Sequence, residues 1–128
     1  MATDRELLEL AAKAAGHAIH AARQADRDRD YPEKIGLWLP NESTCWNPLS
    51  DDGHALRLAV KLGLVIFIDG RFTSVANGVW AIKDAYEEHA SDPYAATRRA
   101  IVRVAAAIGA APTVGGEPAG TLGDGGVA

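Results

Sequence analysis

Chemistry in this chain is concentrated in the stretch Trp46-Asn47-Pro48-Leu49-Ser50-Asp51-Asp52-Gly53, where a large aromatic, a rigid turn and a strong helix cap follow one another. Two readings apply. In the architectural one, Trp46 seals the edge of a core, Pro48 fixes the approach of the chain, and the acidic pair caps a helix. In the functional one, unpaired backbone N–H groups at the helix start and a flat indole make one wall of a ligand pocket. His54, Arg57 and Lys61 then recur three and four residues apart, on one helical face, and Arg98, Arg99 and Arg103 make a second basic strip further on. Such strips attract a phosphate-bearing ligand, or they are solvated faces whose charges pair with Asp51, Asp52 and Asp92. Together with Tyr94 beside the second strip, the candidate binding residues are Trp46, Asn47, Asp51, Asp52, His54, Arg57, Tyr94, Arg98 and Arg99.

Catalytic signals are weaker. His17, His20, His54 and His89 do not have zinc-ligand spacing, and the single cysteine, Cys45, cannot complete a finger-type set. Cys45 has no flanking motif that would supply an oxyanion hole and reads as a small buried side chain. No Walker-type or dinucleotide glycine loop is present, and no carboxylate is marked as a general acid. Neither a catalytic residue, a metal ligand nor a cofactor is expected.

The elements that must carry these residues follow from periodicity. Thr3 and Glu6 have capping-box spacing, Leu7, Leu8, Ala11, Ala14 and Ala15 recur at helical intervals, and Gly16 closes a first helix. Residues 17–30 read equally as a continued helix or a short strand up to Ala22. The alternating charges of 26–30 read as a solvated turn or loop. A short strand is expected over 35–39, closed by Pro40 and Asn41. A second helix starts at Ser50 or Asp51, carries Ala55, Leu56, Ala59, Val60 and Leu62, and stops at Gly63. The run 64–68 is a strand. Asp69-Gly70 favours a positive-φ hairpin turn, and the returning strand is split around Asn77-Gly78, with 79–82 as its second part. The last helix is capped by Ser91 or Asp92, takes Pro93 in its first turn, and presents Tyr94, Ile101, Val104, Ala105 and Ile108 as its apolar stripe before Gly109 ends it. Residues 1–111 thus make one α+β domain, a small antiparallel sheet of three to four strands with about three helices. The glycine-rich segment 112–128 is expected to be a mobile tail.

Composition narrows the function classes. A chain of 128 residues with a net charge of -4 fits one ordinary domain and lacks the basic surplus of a dedicated nucleic-acid binder. Its apolar fraction of 48% is rich in alanine, so large core side chains are fewer than that figure implies. With one cysteine, nothing requires an oxidising compartment, and neither a signal-peptide core nor a run of roughly 20 apolar residues is visible.

Three stretches resemble a known family, the small bacteriophage proteins with the phage ABA sandwich domain. They are Thr3-Asp4-Arg5-Glu6-Leu7-Leu8, the segment from Trp46 to Leu64, and Asp92-Pro93-Tyr94-Ala95-Ala96-Thr97-Arg98-Arg99-Ala100-Ile101-Val102; together they cover under half the chain. His54 stands where members of the family more often carry an acid. The resemblance implies helices packed on a small antiparallel sheet, an ABA-sandwich-like arrangement, and it implies no chemistry. It ranks first a non-enzymatic accessory protein that binds a host component, an inhibitor of an antiviral defence in the cytoplasm of an infected bacterium. The alternative partner is a nucleotide-derived signalling molecule, sequestered with Trp46 on its base and Arg57, Arg98 or Arg99 on its phosphate, in one concave site or across a homodimer. A small enzyme acting on a nucleotide or amide is the third reading.

Overall fold

The computed structural model describes residues 2–40, 45–78 and 84–111, together with the backbone of two short paired segments at 113–114 and 117–118. In chain order these are α1 (Asp4–Ala15), α2 (Ala21–Asp30), α3 (Asp52–Leu62), β1 (Val65–Ile68), β2 (Phe72–Ala76), β3 (Asp84–Glu88), α4 (Pro93–Ala110), β4 (Thr113–Val114) and β5 (Glu117–Pro118). The chain is α+β, as its sequence pattern implies: four helices and an antiparallel sheet in the order β1-β2-β3. The segments β4 and β5 make a minimal antiparallel ladder within the expected tail. The rest of that tail, like the expected strand at 79–82, lies outside the described residues.

Local signals set the helix ends. Thr3 accepts from the Glu6 N–H at 3.1 Å while Glu6 accepts from the Thr3 N–H at 2.8 Å, which satisfies two donors that the first turn leaves open. Asp51 and Asp92 cap α3 and α4 from one side only, their carboxylates accepting from the His54 and Ala95 N–H groups. Gly16 and Gly63 take the left-handed conformation just past α1 and α3, where a side chain would be strained.

The core lies where α4 crosses the sheet and receives α1 and α3 on its flanks. Alternation along the strands sends Thr73 and Val75 of β2 and Ala85 of β3 inward, onto Ala100, Ile101, Val104 and their neighbours. The alanines of α1 and α4 bring those two helix axes close. Gly109, expected to stop α4, instead lies within it, at the point where a Cβ would fall 1.9 Å from the Leu10 carbonyl oxygen. The other face of the sheet carries a row of rings, Phe67, Phe72 and Tyr86, with centroids 5.9 and 4.8 Å apart; Phe67 and Tyr86 are more than half exposed.

Three local expectations are corrected. Residues 26–30 are helical, because Gln24 ties α2 to Gly36 O and Trp38 N–H while Arg5 pairs with Asp28. These tertiary contacts outweigh a sequence that has no apolar face of its own. No strand forms over 35–39; Leu37 makes a single bridge to Trp46, with both backbone hydrogen bonds at 2.8 to 2.9 Å, and Gly36 at φ 127° breaks the extended run. The hairpin at Asp69-Gly70 forms without positive φ. There the Asp69 carboxylate accepts from the N–H groups of Arg71 and Phe72 at 2.7 and 3.2 Å and closes the turn itself.

Candidate functional site: an apolar cleft between two helix starts

The turn before α3 is built from Asn47. Its carbonyl accepts from the Ser50 and Asp51 N–H groups, its Oδ1 accepts from the Leu49 N–H at 3.0 Å, and its own N–H donates to His54 Nδ1 at 3.0 Å. Pro48 is fully buried and Trp46 is only 4% exposed, its ring set at 69° to the His17 ring with centroids 5.3 Å apart. The stretch 46–53 therefore does architectural work, and the Trp46 indole is largely buried, with no open face on which a base could stack in solvent. The Asp51 carboxyl is held below its ordinary range chiefly by the His54 N–H, with burial acting the other way.

That turn brings the starts of α3 and α4 together. Arg98 donates from Nε to the Leu49 carbonyl at 2.8 Å and from its guanidinium to Asp52 at 2.6 Å, so one side chain of α4 fastens both the turn and the first residue of α3. Arg99 instead reaches Asp4 at the start of α1, at 2.9 Å. Between the two helix starts and the end of β1 opens a cleft of about 530 Å³. Ala55 and Leu56 of α3, Ile66 and Ile68 of β1, and Pro93, Tyr94 and Ile101 of α4 make its walls, and Asp52, Asp69, His89, Thr97 and Arg98 supply its polar groups. Leu56, Ile68 and Tyr94 are 60%, 57% and 71% exposed, so large apolar side chains stand in solvent around its mouth. Asp69 keeps a firm negative charge at the rim: the Arg71 N–H is the main cause that holds its carboxyl below the ordinary range.

At the base of the cleft, Thr73 Oγ1 lies 2.8 Å from His89 Nε2 and 2.7 Å from Thr97 Oγ1. An imidazole beside a hydroxyl is the pairing that activates a nucleophile, but Thr73 is wholly buried and no substrate atom can reach it. The triad locks β2, α4 and the 89–92 turn together. Burial pushes the Cys45 thiol up, away from the thiolate a nucleophile requires. Among the described residues no group of three or more His, Cys, Asp or Glu side chains is placed to hold a metal ion, and no helix is long and apolar enough to cross a membrane.

The candidate residues read from sequence are thus divided. Asp52, Tyr94 and Arg98 border the cleft; Asn47 and Arg99 border a separate, smaller concavity; Trp46, His54 and Arg57 border a third. Asp51 caps α3 and borders none of these three. None of these three concavities joins Trp46 to Arg98 or Arg99. Sequence reasoning missed Leu56, Ile66, Ile68, Asp69 and His89 as site residues. A usable signal was present in α3, whose apolar positions outnumber one face: Ala55, Leu58 and Ala59 fill the core, while Leu56 and Val60, one turn apart, stand exposed. Compared with known proteins, the chain matches no family model, no curated protein and no solved structure.

Proposed function

We propose that the chain is a non-enzymatic binding protein whose cleft between α3, β1 and α4 receives a bulky apolar side chain of a partner protein. The observation that carries this reading is the cleft itself, with walls of aliphatic side chains and a mouth ringed by Leu56, Ile68 and Tyr94, all more than half exposed. Interface centres combine such an apolar floor with an aromatic rim and a few oriented charges. Asp69, together with the clamped Asp52–Arg98 pair, favours a partner residue whose neighbour is basic. In the bacteriophage setting implied by the resemblance, the partner is a host protein of an antiviral defence, met in the cytoplasm of the infected bacterium.

Leu56→Asp and Tyr94→Ala both alter exposed positions of helices that have other anchors, so the fold is expected to survive them. Burying a leucine contributes about 1.5–3 kcal/mol, and a charge in its place adds a desolvation cost. Capture from host lysate with tagged wild-type protein should yield one stoichiometric partner, and each variant should weaken that complex by about tenfold or more. A partner retained equally by both variants, or no partner at physiological salt, contradicts the reading.

A further inference from the structure

On the opposite side of α3 lies a second concavity of about 230 Å³ that shares no lining residue with the apolar cleft. Its walls are Trp46 and Leu58, and its polar groups come from His17, His54, Arg57 and Lys61; no carboxylate lines it. His54 is the informative member. Its ring is buried to 8% exposure, and its Nδ1 accepts the Asn47 backbone N–H, which leaves the ring proton on Nε2. The polar contacts of the His54 ring among the described residues are both at Nδ1, and His54 lines the cavity, so the Nε2–H donor of a buried ring is left for something that enters there. Arg57 and Lys61 form no ion pair among the described residues, whereas Arg98, Arg99 and Arg103 each do. The Asp51 carboxylate is committed to the α3 cap, lies 4.0 Å from Nδ1 of His54 and also feels the Arg57 charge, but it does not line the cavity.

We propose that this pocket binds a phosphoryl dianion, as free phosphate or as a small phosphomonoester, with His54 Nε2–H, Arg57 and Lys61 as its donors. Two positive charges beside an oriented N–H donor suit a dianion with three acceptor oxygens. The volume limits the ligand. Pockets that enclose drug-sized molecules run from about 300 Å³ upward, so a phosphoryl group with a few further atoms fits and an entire nucleotide does not.

The test is an NMR titration of the full chain at fixed ionic strength, following the His54 imidazole and Trp46 indole signals, with inorganic phosphate, glycerol phosphate and chloride. Phosphate or glycerol phosphate should shift these signals saturably, and chloride should not; the tighter of the two ligands identifies the source of the group. Arg57→Gln and Lys61→Gln, both exposed on α3 and expected to fold, should each weaken binding by about tenfold, whereas Arg103→Gln, on α4, should leave it unchanged. Shifts that fail to saturate at millimolar ligand, that chloride reproduces, or that persist unchanged in both α3 variants overturn the proposal.

Discussion

Asp51 illustrates how far a single side chain can be read from its neighbours. As a cap it satisfies the His54 N–H at 2.8 Å, and replacement by alanine should cost about 1 kcal/mol at neutral pH, measurable as a lower urea midpoint. Its folded carboxyl titrates below its ordinary value of 3.8, so its contribution is complete above that value and is lost as the pH falls through the folded one. The stability gap between wild type and Asp51→Ala should therefore narrow below about pH 4; a gap constant down to pH 3 would assign the effect to packing instead. Caps of this kind were legible in the sequence because they depend on residues three apart: Thr3 with Glu6, Asp51 with His54, Asp92 with Ala95. Trp46 was not. Its type marks it as a candidate for stacking, but its burial depends on the bridge to Leu37 and on His17, which no local pattern discloses.

The helices and strands show the same division between local and distant causes. Where an element has its own apolar periodicity and punctuation, as α1, α3, β1 and α4 do, its position follows from the sequence. Helix α2 has neither; Gln24 and Asp28 hold it through contacts to Gly36, Trp38 and Arg5, so its charge alternation was misleading. Gly109 has the residue type of a helix stop, yet its role is contact: α4 lies against α1 there so closely that a side chain has no room. Gly109→Ala should destabilise the protein by about 1–3 kcal/mol through overpacking, despite alanine's higher helix propensity. Calorimetric unfolding checks this, and a variant as stable as wild type or more so would mean that α1 and α4 do not meet so closely.

In the whole molecule, two surfaces separated by α3 divide the work proposed for it: an apolar cleft for a protein partner on one side and a basic pocket for a phosphoryl group on the other. Neither was visible as a unit in the sequence. The cleft takes its walls from α3, β1 and α4, and only the antiparallel hairpin and the Arg98 clamp make these neighbours. The basic pocket was half legible, since His54, Arg57 and Lys61 share a helical face, but the wall supplied by His17 and Trp46 comes from distant segments. The rings of Phe67, Phe72 and Tyr86 on the open face of the sheet, the first and last of them more than half exposed, are the competing surface for a protein partner. Site-specific photocrosslinking in host cells separates the two most directly, with the reactive group placed in turn at the positions of Leu56, Tyr94, Phe67 and Tyr86. The account predicts one common crosslinked partner from positions 56 and 94 and none from 67 and 86. Crosslinks confined to 67 and 86 would contradict it and move the binding surface to the sheet.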